Sequence, residues 1–156
     1  MITIVEQGDQ QLNREMYYVT FRTRVAPIDG QAGQFQVRGD AIAARRKTGD
    51  SGDETASADL GEIDYVSDVT FTGEASFQES GSIRFGNAGS IRFSTLQDGV
   101  MTPSAVPGQF HGAVIWRIEG GSGRFENATG LITSNFLFDP AAGEGSEEQI
   151  GIVFTA

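Results

Sequence analysis

Glycine is frequent throughout this sequence, with 21 glycines against four prolines in 156 residues. Between the glycines lie short runs rich in Phe, Ile, Val, Thr and Tyr, which favour β-strands. No long window carries the i, i+3, i+4, i+7 spacing of apolar residues that marks an amphipathic helix. The sequence therefore predicts a many-stranded antiparallel β protein.

The runs and the turn residues between them predict up to nine strands, with a merger across Gly73 left open. Strands of this number and length suit a sheet that closes on itself, because closure removes the exposed edges that invite aggregation. We therefore expect an all-β fold, a single closed antiparallel barrel of about eight strands over residues 1–156. The predicted strands cover residues 14–25, 34–46, 62–71, 73–78, 81–86, 89–96, 109–118, 129–138 and 148–155.

The composition excludes several classes of partner and of chemistry. The net charge of −10 repels nucleic acid and anionic membranes. The absence of cysteine excludes disulfides and thiolate chemistry. No stretch approaches the roughly 20 apolar residues of a membrane span, and the first residues lack the pattern of a secretory signal. We therefore expect a cytoplasmic protein without nucleic-acid or membrane partners.

Three polar segments are predicted to be loops, at residues 47–61, 97–108 and 139–147. Loops at a barrel mouth can act as lids, and plain surface connections are the alternative. A near-repeat, Gly81–Phe85 and Gly89–Phe93, predicts a hairpin that turns at residues 86–88. Alternation would then place the Ile and Phe residues of the hairpin on one face and its two arginines on the other.

The segment Ile118–Gly130, IEGGSGRFENATG, is the most distinctive in the chain. It resembles the GGTG-x-F-x-x-A-x-G signature of dirigent proteins and the similar GTG-x-F-x-x-A-x-G of allene oxide cyclases. The resemblance, which extends over roughly 30 residues with the flanking strands, implies their calycin-type barrel around a small apolar molecule. Clustered glycines allow a sharp turn and a close approach to a neighbouring strand, so that Phe125 would plug the end of the barrel.

Two departures bear on the reaction. Dirigent proteins carry an arginine before the last glycine of the signature, where this chain has Thr129. Allene oxide cyclases carry a glutamate eight residues before the proline of a Ser-Pro pair. The nearest counterpart here is Ala26-Pro27, and Val19 stands at the position of the glutamate. Neither plant reaction therefore transfers residue by residue.

No established catalytic motif is present, and His111 is the single histidine. One histidine with scattered carboxylates is a poor metal-ligand set, so we expect neither a metal nor another cofactor. Candidate site residues come from strand faces that mix apolar with ionisable groups, the composition of a ligand-holding interior. Solvent exposure of the same faces is the alternative. The candidates are Tyr18, Arg22, His111 and Arg117 for catalysis, with Arg24, Arg92, Ile115, Asn135 and Leu137 for ligand binding.

Two functions remain open on these grounds. The first is a cofactor-independent cyclase or isomerase that folds a largely apolar or amphipathic metabolite into a reactive shape. The second is a lipocalin-like carrier that binds such a molecule unchanged. A barrel filled by its own side chains is a lesser third. Apolar residues on both faces of the strands, around Trp116 and Phe136, lead us to expect a homodimer or homotrimer.

Overall fold

The computed structural model describes residues 12–49, 53–56 and 61–156, with the backbone alone for residues 53–56. These residues form ten β-strands and no helix, so none of them belongs to a helix long and apolar enough to span a membrane. The strands are β1 (Asn13–Pro27), β2 (Gln34–Thr48), β3 (Asp53–Ala56), β4 (Ile63–Phe71), β5 (Ser76–Phe85), β6 (Gly89–Thr95), β7 (Gly99–Pro103), β8 (Phe110–Gly123), β9 (Thr129–Asp139) and β10 (Glu144–Thr155).

The sheet closes into an antiparallel barrel of eight positions, in the order β1-β10-β9-β8-β6-β5-β4-β2, with β2 paired back to β1. Strands β6 and β7 share one position, because each lies between β5 and β8 at different heights. Strand β3 pairs with the far end of β2. The predicted fold class is therefore confirmed.

Alternation along the strands fills the barrel interior with large apolar side chains. In β1, for example, Tyr17, Val19, Phe21 and Thr23 are buried, while Arg22 and Arg24 are exposed. Edge-to-face and stacked aromatic pairs link the strands, including Phe93 of β6 on the Trp116 indole of the neighbouring β8, at 3.9 Å between ring centroids. The core comprises Tyr17, Val19, Phe21, Ile63, Tyr65, Val69, Phe77, Ile83, Phe85, Ile91, Phe93, Val114, Trp116, Ile118, Phe125, Ala128, Ile132 and Val153.

The glycine-rich segment seals one end of this interior, which we call the closed end. A Cβ at Gly121 would lie 1.9 Å from the Ser90 carbonyl oxygen, so only glycine lets β8 approach β6 this closely. Gly123 adopts a φ of +60°, in the left-handed region that glycine enters freely. The chain then turns, and Phe125 is fully buried against Phe85, with 4.9 Å between ring centroids. Phe125 therefore plugs the barrel as predicted.

Several strand boundaries in the structure differ from the predicted ones. The chain turns at residues 72–75, so no strand crosses Gly73, and the predicted strands 73–78 and 81–86 form the single strand β5. Gly81 suggested a break but lies within β5, where a Cβ would meet the Val66 carbonyl oxygen at 2.1 Å. The predicted hairpin of β5 and β6 is confirmed, with Ile83 opposite Ile91.

The three predicted loops are shorter than expected. Strand β7 lies inside the predicted loop 97–108, and β10 begins inside the predicted loop 139–147. Strand β3 lies inside the predicted loop 47–61, of which residues 50–52 and 57–60 fall outside the described part of the chain. Strand β3 and the start of β10 are polar, and β7 is bounded by Gly99 and Pro103, so the side-chain pattern did not reveal these strands, which pair through the backbone.

Candidate functional site

A cavity of about 490 Å³ occupies the half of the barrel opposite Phe125. Its walls come from the last residues of β1, β4 and β9 and the first residues of β2, β5, β8 and β10. Aromatic and aliphatic side chains dominate, as in sites for small apolar molecules. The lining residues are Thr23, Val25, Pro27, Phe35, Val37, Tyr65, Val69, Phe71, Phe77, Glu79, Met101, Phe110, Phe136, Leu137, Phe138, Pro140, Gly143 and Glu147.

Two carboxyl groups reach this apolar cavity from different strands, and we call Glu79 of β5 and Glu147 of β10 the carboxyl pair. Their side chains are buried, with residue exposures of 8% and 5%. The Ser67 hydroxyl donates a hydrogen bond of 2.7 Å to Glu79 Oε2. Buried acids are expensive unless they are hydrogen-bonded, so their presence here needs a reason beyond packing.

Glu147 sits at the centre of a hydrogen-bonded network. The Tyr65 hydroxyl donates to Glu147 Oε2, and the Ser134 hydroxyl donates to Glu147 Oε1. The Gln149 side-chain amide donates to the same Oε1 at 3.0 Å. Three donors from β4, β9 and β10 therefore fix the position of this carboxyl group.

Burial, and to a smaller extent the neighbouring charge of Glu147, raise the pKa of Glu79 to about 8. The Ser67 hydrogen bond opposes this rise, as does the Trp116 indole, which faces the carboxyl without completing a hydrogen bond. Burial also raises the pKa of Glu147, against its hydrogen bonds from Ser134, Tyr65 and Gln149. Near neutral pH the carboxyl pair therefore retains protons, and it can both donate and accept them.

Two polar atoms beside the cavity have no partner. Glu79 Oε1 completes no hydrogen bond with a described residue, since Ser67 reaches only Oε2 and the Trp116 N–H is directed at this carboxyl without completing a bond. The Thr23 hydroxyl lines the cavity in a residue that is 6% exposed, and it too makes no hydrogen bond within the described ranges. These atoms are free to contact the polar group of a bound molecule.

A second buried polar cluster lies at the closed end. Arg124 donates hydrogen bonds of 2.9 Å to both carboxylate oxygens of Glu15, which also accepts from the Tyr17 hydroxyl. Burial is the main cause that raises the pKa of Tyr17. Neither Arg124 nor Glu15 lines the cavity. Their bidentate ion pair links β1 to the turn that contains Phe125.

Five predicted site residues lie on the outer surface of the barrel. Tyr18 packs under the Arg45 guanidinium at 4.5 Å, and Arg22 and Arg24 point to solvent. Arg92 donates to the Glu119 carbonyl oxygen at 2.9 Å, and Arg117 lies 3.9 Å from the carboxylate of that residue. The face of β1 that mixes tyrosine with arginine therefore faces outward, and a functional role for these residues stays a prediction.

The remaining predicted residues also lie on the outside, on β8 and β9. His111, Asn135 and Leu137 border an outer groove of about 570 Å³, which the structure brings together from β7–β10. Ile115 is exposed nearby. Leu137 alone also borders the cavity inside the barrel. No described residue group has the spacing of a metal site.

Sequence reasoning missed both acids because neither fell within a predicted strand. Glu79 lay in the gap between the predicted strands 73–78 and 81–86, and Glu147 lay in the predicted loop 139–147. In β10, moreover, Ile150 and Ile152 point outward, while Glu147 and Gln149 point into the barrel. Alternation alone favours the two isoleucines as the buried residues.

A closed antiparallel barrel with an internal, mostly apolar cavity defines a class of proteins that enclose small molecules. No protein-family model matches the sequence, and no curated protein matches it. The chain is similar in structure to the pterocarpan synthase dirigent protein GePTS1, with a TM-score of 0.54 and 16% identity. The similarity covers 95% of this chain and 93% of that one. The chain therefore has the dirigent-type barrel fold that its glycine-rich segment predicted.

Proposed function

We propose that this barrel is a cofactor-independent cyclase or isomerase that encloses a small, mostly apolar molecule and moves a proton within it. The observation that carries the proposal is the carboxyl pair, two buried acids that border one apolar cavity from opposite strands. The dirigent-type fold supports ligand enclosure, and the name of the neighbour GePTS1 describes a synthase. The fold alone does not determine the reaction.

The chemistry follows from two acids with raised pKa values. In its ionised form one carboxylate takes a proton from a C–H or O–H group of the ligand. The other, still protonated, gives a proton to an oxygen or carbon elsewhere on the same molecule. The net change is an isomerisation or ring closure that needs no oxidant. General acid–base catalysis of this kind contributes typically about 10²- to 10⁴-fold.

The cavity walls add to this effect by excluding water. Phe35, Phe71 and Phe77 form part of a continuous apolar lining around Glu79. In such surroundings a carboxylate is poorly solvated and is a stronger base than in water. Tyr65 and Ser134 hold Glu147 in place, so that little reorganisation is needed when the proton moves.

Exchange of the α-protons of 2-tetralone for deuterium, followed by NMR, tests the proposal, because this small ketone exchanges by simple proton abstraction. The protein is expected to accelerate exchange. In the double variant Glu79→Gln, Glu147→Gln this acceleration should be about 100-fold smaller. The rate should rise with pH through about 8, where Glu79 ionises. Glu148→Gln is the matched control, since Glu148 neighbours the pair in sequence but is exposed. Equal acceleration by wild type and double variant contradicts the proposal.

A carrier is the second candidate, and the apolar walls of the cavity favour it. The cavity is large enough for one small ligand, and its few polar groups would then only orient that ligand. A carrier would bind the neutral dye N-phenyl-1-naphthylamine equally well before and after the two Glu→Gln changes and would leave 2-tetralone exchange at the buffer rate. That combination of results selects the carrier over the enzyme.

We also propose that the outer face of β8–β10 forms a contact between copies of the chain. Five large apolar side chains are exposed there, more than a solvated face requires: Ile115, Leu131, Leu137, Ile150 and Ile152. Leu131 lies opposite Ile152, and Ile115 and Ile150 both lie opposite Thr133, so four of the five side chains are neighbours across β8–β10.

The assembly is expected to dissociate when a charge enters this patch. Ile152→Arg should convert a dimer or trimer to a monomer at micromolar concentration, because an arginine cannot be buried there without a partner. Light scattering of wild type and variant measures the mass. Ile42→Arg is the control, since Ile42 is exposed on β2, away from the patch. A monomeric wild type would remove the proposal.

A further inference from the structure

We propose that the molecule held in the cavity carries a basic nitrogen, so that an ammonium group on an apolar body binds beside the carboxyl pair. The inference rests on the proposed function, in which the cavity encloses a small molecule, and it adds the chemical class of that molecule. It follows from the charges, the free acceptors and the aromatic walls of the cavity.

The ionisable groups that border the cavity are all acidic. Glu79 and Glu147 line it with Tyr65, whereas no lysine, arginine or histidine is among its lining residues in the described part of the chain. The arginines of β1 lie on the outer face of the barrel. An anionic ligand would therefore enter an apolar space without a counter-charge, beside two acids, and buried charges need a partner. An ammonium group would favour loss of a proton from the pair, because an opposite charge stabilises a carboxylate, and that carboxylate is then its counter-ion.

The unpartnered polar atoms are acceptors that suit an ammonium group. Glu79 Oε1 and the Thr23 hydroxyl oxygen both face the cavity without a hydrogen bond from a described residue, and both belong to residues at least nine-tenths buried. An ammonium group carries N–H donors and no acceptor, so it can donate to either atom. Thr23 is an observation independent of the acids, since its burial is unexplained by any intramolecular bond.

The aromatic walls supply the remaining contacts. Phe35, Phe71, Phe77 and Phe136 form a chain of edge-to-face contacts around the cavity, with centroid distances of 5.6, 6.3 and 5.9 Å between successive rings. The faces of such rings attract cations, most strongly where water is excluded. Acidic groups beside several rings are the composition of sites that bind amines rather than carboxylates.

The two carboxyl groups then take different parts. Glu79, with a free oxygen, is the counter-ion of the ammonium group. Glu147 already accepts hydrogen bonds from Tyr65, Ser134 and Gln149, so the ammonium group binds nearer to Glu79.

Three probes with the same ring and chain length test the inference by isothermal titration calorimetry at pH 7: 4-phenylbutylamine, 4-phenylbutanol and 4-phenylbutanoate. The amine is expected to bind at least tenfold more tightly than the alcohol, and the carboxylate at least tenfold more weakly than the alcohol. Glu79→Gln should abolish the preference for the amine while it keeps the affinity for the alcohol, which shows that the variant is folded. Glu148→Gln should change none of the three affinities.

The failures of the two proposals are distinguishable. If the alcohol binds and the amine binds no better, or if the carboxylate binds as well as the amine, the inference is overturned while the ligand-enclosing function stands. If none of the probes and no N-phenyl-1-naphthylamine binds to the wild type, both are overturned. A preference for the amine that survives in both Glu79→Gln and Glu147→Gln also overturns the inference, because the carboxyl pair would then not be its source.

Discussion

The free energy of unfolding should fall on the order of 4 kcal/mol between about pH 4.5 and about pH 8.5 through the ionisation of Glu79 alone. Its pKa is about 8 in the folded barrel against 4.5 in an unfolded chain, and one pKa unit corresponds to about 1.4 kcal/mol. The sign follows from proton binding. Between these two values the folded state holds a proton that the unfolded state has lost, so the stability contribution is complete at low pH and disappears as pH rises through 8.

Chemical denaturation of the wild type and Glu79→Gln across this range measures the effect. Gln keeps the shape of the side chain and can accept the Ser67 hydrogen bond, but it does not ionise. As pH rises, the free energy of unfolding of Glu79→Gln should therefore increase by several kcal/mol relative to that of the wild type. Comparing differences cancels the pH dependence of groups that do not interact with Glu79, and Glu147 is the neighbour whose ionisation the variant also changes. Parallel pH profiles for the two proteins would show that Glu79 ionises normally in the fold.

Such a cost at neutral and alkaline pH bears on function. An apolar pair at positions 79 and 147 would avoid the penalty of burying two acids, as replacement of buried ionic groups often does. Perturbed acids in a cleft are candidates for function with a stated physical reason. The same two side chains that destabilise the barrel at high pH are those that can transfer a proton and bind a cation in the cavity.

The fold was predictable because its determinants are local. Turn glycines, alternating apolar residues and the segment Ile118–Gly130 each act over a few residues, and together they indicate a closed barrel. The segment also predicted the plug at Phe125. Local patterns failed where short segments with polar residues, glycine or proline pair through the backbone, as at the start of β10 and in β7.

The site was not predictable because its partners are distant in sequence. Tyr65 and Glu147 are 82 residues apart and meet only when the barrel has closed. Arginines on the mixed faces of β1 and β8 suggested a ligand site, yet acids on β5 and β10 border the cavity. A polar residue on a barrel strand has the same alternation whether it faces solvent or cavity, so burial must be known before its role can be assigned.

Truncation of the plug should be the most destabilising single change at the closed end. Phe125→Ala is expected to lower the free energy of unfolding by about 3–5 kcal/mol, the range for large-to-small changes in a packed core. The ring is fully buried against Phe85 and Tyr17, and the Arg124 guanidinium lies 4.9 Å above it. Gly121 and its neighbouring strand leave little freedom to close the space. Urea denaturation at pH 6 measures the loss.

Phe138→Ala is the matched control, because Phe138 is only half-buried and borders a cavity that already exists. Its truncation enlarges that cavity without opening a new one, so the cost should stay below about 1.5 kcal/mol. The two variants should also separate in ligand binding, since Phe138 lines the cavity and Phe125 lies at the other end. Equal losses of stability in Phe125→Ala and Phe138→Ala would contradict the role of Phe125 as a plug. The glycines of the turn would then be required only by the geometry of its backbone.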